Sequence, residues 1–289
     1  MDTTGFQCLR RQRVKMIPSK QNERLMALTN QRVIKQKKQA NMKLHIFDNK
    51  EIMSDELAQW ICNLISGTLK NQEFFSLVLS GGETPKLLYQ KLASNKYKGK
   101  INWKRIHIFW GDERVVPFTD ERSNAKMAYD ILLDHVDIPA PHIHIMRTDI
   151  EPNFAVAEYR KLLHSFFDST AISFDLVLLG MGDDGHTLSL FPGSPMIQEH
   201  IHWVNSVYNE KQEMYRITLM PLIVNRAAAI AFMVDGSKKA KVLQQVLEGA
   251  QTPENLPAQI IKPENGDLHW FLDKDAAKEL KNQKANVIN

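Results

Sequence analysis

From residue 42 onward, short apolar runs alternate with stretches of helical period. The runs at 44–47, 75–80, 106–110, 174–179, 203–207, 216–219, 228–234 and 269–272 have strand length and are rich in Ile, Leu, Val and Phe. The most apolar of them, such as Phe174-Asp-Leu-Val-Leu-Leu179, lack the in–out alternation of a half-solvated strand. They read as strands covered on both faces. Between them, 55–69 places Leu57, Ile61, Leu64, Ile65 and Leu69 along one helical face, and 85–92, 124–133, 154–167, 238–247 and 274–280 also read as helices. Thr84 is expected to cap the second of these, with Pro85 at its first position. Strand–helix–strand order of this kind predicts an α/β fold with a mostly parallel sheet and helices on both faces. No internal repeat interrupts it, and a single domain over 42–289 is expected.

In open sheets of this class, ligands sit beyond the carboxyl ends of the strands. Three loops at such ends carry polar chemistry. Ser80-Gly81-Gly82-Glu83-Thr84 turns sharply before a helix, whose free N–H groups and dipole favour an anion. Gly111-Asp112-Glu113-Arg114 offers two acids and a guanidinium able to grip a phosphate or carboxylate in bidentate fashion. Gly180-Met-Gly-Asp183-Asp184-Gly-His186-Thr187 sets an imidazole two residues from a carboxylate that can fix its tautomer and raise its basicity.

The third loop formally contains G-x-G-x-x-G. Dinucleotide binding is nevertheless disfavoured: Asp183 and Asp184 stand where a pyrophosphate needs neutral amides, and Pro192 and Pro195 break the long helix that the fingerprint requires. The first loop is not a Walker loop. His142-x-His144 lacks a third ligand at suitable spacing and reads as a polar strand edge, so no metal is expected. No G-x-S-x-G elbow supplies a serine nucleophile.

Charge then narrows the choice of partner. The 289 residues carry a net charge of +4, but residues 1–41 contribute +8, leaving −4 for the rest. The basic character therefore belongs to the leader, and neither a nucleic-acid partner nor a membrane is expected for the body. The leader has no secretory h-region. It is read as a flexible extension, arising if an upstream start stands in place of Met42, ahead of a targeting segment or a nucleic-acid arm. Cys8 and Cys62 form no framework, which suggests a reducing compartment such as the cytoplasm.

The segments Leu79-Ser-Gly-Gly-Glu-Thr-Pro85, Phe109-Trp-Gly-Asp-Glu-Arg114, Ser123-Asn124, the run from Phe174 to Thr187, Ser189-Leu-Phe-Pro-Gly193, Arg216-Ile-Thr-Leu219, Gly236-Ser-Lys-Lys-Ala240 and Leu256-Pro-Ala258 occur in order. Together they strongly resemble the bacterial-type 6-phosphogluconolactonase family, related to glucosamine-6-phosphate deaminase, over nearly all of 42–289. The resemblance implies the deaminase/ribose-5-phosphate isomerase type of fold. It also implies hydrolysis of 6-phospho-D-glucono-1,5-lactone to 6-phosphogluconate in the oxidative pentose phosphate pathway, with no obligatory cofactor. A monomer or weak homo-oligomer is expected.

His186 is then the general base acting on water without a covalent intermediate, and Asp184 or Glu113 orients it or holds sugar hydroxyls. Ser80, Gly81, Gly82, Thr84 and Asp112 fall in the binding loops. Arg114, Arg216 and Lys239 are the candidate cations for phosphate or for the lactone carbonyl, which spacing does not distinguish. The alternatives are a deaminase/isomerase and a non-catalytic sugar-phosphate sensor. The deaminase pattern follows Asp-Gly-His with an Asn-Glu-Pro segment, whereas this chain has Leu190-Phe191-Pro192 with no carboxylate. Leu188, where a small residue is usual, is expected to narrow the pocket.

Overall fold

The structure is a computed structural model that describes residues 42–281. The basic leader and its expected role lie outside the described residues. Ten strands are assigned among those described: β1 (Met42–Phe47), β2 (Phe75–Leu79), β3 (Ile106–Trp110), β4 (Asp112–Arg114), β5 (Ile143–His144), β6 (Leu176–Gly180), β7 (Val204–Asn209), β8 (Met214–Leu219), β9 (Ala229–Val234) and β10 (Asp267–Asp273). The α-helices are α1 (Lys50–Thr68), α2 (Glu83–Ala93), α3 (Asn124–Ile131), α4 (Pro152–Phe167), the short α5 (Pro221–Val224), α6 (Ala240–Glu248) and the short α7 (Lys274–Ala277).

Seven strands form one sheet in the order β1-β10-β9-β6-β2-β3-β5, and every adjacent pair is parallel. Its central strands are apolar throughout because both faces are covered: Leu77, Val78, Leu79, Leu176, Val177, Leu178, Ile230, Ala231 and Phe232 are buried. This is the expected α/β architecture. β4, β8 and β7 make a separate antiparallel sheet in the order β4-β8-β7. Gly111 links the two sheets: its N–H donates to the Leu79 carbonyl at the end of β2, and its carbonyl accepts from Leu219 N.

The strand order explains where a ligand site can form. After β2 the chain moves outward through β3 to β5, then returns to place β6 on the other flank of β2 and continues through β9 and β10. The order reverses between β2 and β6. Loops leaving their carboxyl ends diverge there, opening the crevice that sheets of this kind use for ligands.

Two helix starts differ from the sequence reading. α1 begins at Lys50 rather than Asp55, because Asn49 caps it by accepting from Ile52 N. From there Met53, Leu57, Ile61 and Ile65 form the buried stripe. α2 begins at Glu83 with Gly82 as its N-cap and no side-chain cap bond. Thr84 is therefore inside the helix and is not its cap; its hydroxyl donates instead to Asp235 just beyond β9. Residues 112–114, expected as a loop, form β4. His142 and His144 do lie at the sheet edge, beside His107: the His107 and His142 rings stack at 4.1 Å, and His107 Nδ1 is 2.9 Å from His144 Nε2. Among the described residues no cluster of His, Cys, Asp and Glu is arranged to hold a metal ion, and no helix is long and apolar enough to cross a membrane.

Candidate active site

The three loops meet in one cavity of about 160 Å³ at the β2/β6 switch point. From the first loop it takes Ser80, Gly81, Gly82 and Thr84; from the second, Asp112 and Arg114; from the third, Gly182 and His186. Arg216 on β8 and Lys239 ahead of α6 complete the polar wall. Of the residues expected in the site, Asp184 and Glu113 do not line this cavity. Asp184 reaches it through His186. Glu113 does not.

The Gly-Gly turn is fixed from below by Tyr89, a fully buried side chain of α2. Ser80 N donates to the Tyr89 hydroxyl at 2.9 Å, and that hydroxyl donates to Ser80 O at 2.7 Å. Gly82 has φ = 101°, a conformation open to glycine at little cost. With no side chain on the N-cap, the first-turn N–H groups of α2 remain free to meet an anion.

The second wall concentrates charge. β4 and β8 pair so that Arg114 stands directly opposite Arg216, an arrangement that like charges oppose. Part of the repulsion is offset by Asp112, whose Oδ2 accepts from Arg216 Nη1 at 3.3 Å and from Ser189 Oγ at 2.6 Å. Arg216 is buried, and burial pulls its pKa below the ordinary value, with Arg114 acting in the same direction against Asp112. Arg114 spends Nη1 on the Arg122 carbonyl and the Asn124 carboxamide. The Nε atoms of both arginines are buried without a hydrogen-bond partner. Two opposed guanidinium groups with unmet donors, beside a free helix N-terminus, form a site suited to an anion.

The third loop holds the imidazole. Asp184 Oδ1 lies 2.5 Å from His186 Nδ1 and also accepts from His186 N at 3.1 Å. The hydrogen bond to His186 holds the Asp184 carboxyl down to about 2. With Nδ1 engaged, Nε2 is the nitrogen left for proton transfer. The loop turns tightly through Gly182 N→His186 O at 2.9 Å and Gly185 at φ = 78°. A Cβ on Gly182 would overlap the His186 ring and come within 2.8 Å of Asp184 Oδ1. The glycine before the acid pair is therefore what lets the histidine fold back onto its carboxylate. Leu188 lines the cavity in a left-handed conformation (φ = 55°).

Glu113 is corrected by its surroundings. It is 1% exposed, Oε1 accepts from Arg114 N and Asn124 N, and Oε2 accepts from Ala125 N and Ser123 Oγ. Burial pushes its pKa up, while these backbone donors oppose the shift. It braces the start of α3 and has no atom to spare for His186. Sequence reasoning gave no role to Ser189, Asp235 or Asn124. Ser189 and Asn124 stood inside segments already singled out, but their polar partners lie more than ten residues away along the chain or in another element.

Residues 48–270 match the family described as glucosamine-6-phosphate isomerases/6-phosphogluconolactonase. The chain is 38% identical over 240 residues to 6-phosphogluconolactonase of Nostoc sp., covering 80% of this chain and 97% of that one. The crystal structure of 6-phosphogluconolactonase from Thermotoga maritima superposes with a TM-score of 0.70 at 27% identity, over 81% of this chain and 100% of that one. A monomeric glucosamine-6-phosphate deaminase shares the fold, with a TM-score of 0.71 at 21% identity over 82% of this chain and 100% of that one. The chain belongs to the glucosamine-6-phosphate isomerase/6-phosphogluconolactonase family.

Proposed function

We propose that this protein hydrolyses 6-phospho-D-glucono-1,5-lactone to 6-phosphogluconate by direct attack of water, with His186 as the general base. The observation that carries the proposal is one cavity holding both a carboxylate-oriented imidazole and an anion grip. The phosphate is held by the first-turn amides of α2 with Arg114 and Lys239, which orients the lactone for attack. His186 Nε2 takes a proton from water as its oxygen bonds to C1, and Asp184 stabilises the imidazolium that forms. Positive charge from Arg216, which lines the same cavity, meets the negative charge that gathers on the carbonyl oxygen. Collapse of the tetrahedral intermediate breaks the C1–ring-oxygen bond, and the imidazolium returns its proton to the leaving oxygen. Residues 42–289 form the catalytic domain in this reading.

The position after the histidine favours the lactonase over the deaminase. Leu190 there is fully buried, and the Phe191 ring lies 4.9 Å from the His186 ring, so no carboxylate is supplied for ring-opening chemistry. Base titration at constant pH on fresh lactone, against a blank for spontaneous opening, tests the proposal. Acceleration well above the blank is expected, with no ammonia released from glucosamine 6-phosphate. Ammonia release without lactone hydrolysis would assign the deaminase reaction instead.

A further inference from the structure

Asn124 is the first residue of α3, 1% exposed, with every polar atom of its side chain directed at the cavity's walls. Its Nδ2 donates to the Asp112 carbonyl at 2.8 Å and to Asp112 Oδ1 at 3.3 Å. Its Oδ1 accepts from Arg114 Nη1 at 2.5 Å. The same carboxamide fills the space beside Gly81 so completely that a Cβ on that glycine would overlap it. One neutral side chain thus touches the Gly-Gly turn, Asp112 and Arg114, three parts of the cavity contributed by two different loops.

We infer that Asn124 is a positioning residue that sets the phosphate grip: its carboxamide holds the Arg114 guanidinium beside the Gly81 turn without neutralising it. Chemistry explains why an amide suits this place. An arginine needs an acceptor to fix its plane, but a carboxylate acceptor would cancel the charge that draws the ligand and would repel the nearby Asp112. A carboxamide offers an acceptor to Arg114 and a donor to Asp112 at once and adds no charge. The backbone that carries it is anchored, with Asn124 N donating to Glu113 Oε1 at 2.7 Å. Glu113 therefore serves the site indirectly, by anchoring the residue that aims Arg114.

This inference rests on the proposed phosphate role of Arg114, and the test separates the two. Asn124→Asp and Asn124→Ser are compared with Arg114→Ala by steady-state kinetics on the lactone, with inorganic phosphate as a competitive inhibitor, and by thermal unfolding. Both Asn124 variants are expected to raise KM and the phosphate inhibition constant together by about tenfold or more, with kcat changed less than about threefold. Asn124→Asp is expected to show the larger effect. Unchanged KM and phosphate inhibition in a folded Asn124 variant, while Arg114→Ala weakens both, would overturn the positioning role and leave the phosphate reading standing. Unchanged phosphate inhibition in Arg114→Ala would overturn the phosphate reading itself. Failure of both Asn124 variants to fold would make the residue structural and also defeat the inference.

Discussion

The histidines at the sheet edges and His186 in the cavity stand in contrasting surroundings. At the sheet edges, His107 and His144 face each other, and His45 Nε2 lies 3.0 Å from His269 Nδ1, packed among Phe74, Phe166, Trp60 and Phe271. Burial, helped by the neighbouring imidazole, pushes His107, His144 and His269 down to about 4. These rings are neutral packing elements at pH 7. His186 instead has a carboxylate on Nδ1 and a cavity on its other side. A carboxylate alone is not what distinguishes it: His164 pairs with Asp168 and His202 with Glu199 on the outer surface. What sets His186 apart is the conjunction of an oriented ring, an open cavity and cations across from it.

The largest expected effect that sharpens this contrast is at Gly182. In Gly182→Ala the new methyl displaces the imidazole, and turnover should fall roughly 10²-fold or more, approaching loss of the base itself, while the melting temperature moves little. Kinetics together with circular dichroism checks it. Asp184→Asn keeps the ring but removes its charge partner, and a loss of roughly 10–10²-fold in kcat is expected, with KM largely retained.

Glu113→Gln should show the reverse pattern. It weakens several charge-assisted bonds at the start of α3, and denaturant titration should show a stability loss of about 1–3 kcal/mol. Its effect on kcat should be small beside that of Asp184→Asn. The smallest effect on turnover belongs to the sheet-edge histidines: His107→Phe should leave kcat within about twofold.

Those histidines matter for stability toward acid. Their folded pKa values lie below the unfolded value of 6.5. Between about pH 6.5 and 4 the unfolded chain therefore binds more protons, and the stabilisation present above 6.5 is lost as pH falls through that window. The urea midpoint should drop from pH 7 to pH 5, and by less in His107→Phe.

Much of this was legible in the chain because it depends on local pattern. The apolar runs of β2, β3, β6 and β9 announce strands buried on both faces, and glycine-bearing polar loops at their ends announce a ligand edge. Proximity of loops far apart in sequence was not legible. Asp112 and Ser189 meet only because β4 turns back from Gly111 to pair with β8. A run of three charged residues carries no strand signal and reads as a turn, yet it forms β4, and Glu113, a candidate for orienting His186 or holding sugar hydroxyls, points to α3. Thr84 reads as a cap because a hydroxyl before a proline has the right local chemistry, but its partner Asp235 lies 151 residues away. Local patterns set elements, whereas side-chain direction follows from pairing that no single stretch encodes.

Catalysis in this protein turns on the imidazole of His186 taking the proton from the attacking water. Its most direct test is the initial rate of lactone opening by His186→Ala, measured by base titration on freshly prepared substrate beside wild type and an enzyme-free blank. With the fold intact by circular dichroism, kcat is expected to fall by roughly 10²–10⁴-fold, with phosphate inhibition still measurable in whatever activity remains. A folded His186→Ala protein that opens the lactone at near the wild-type rate would contradict it.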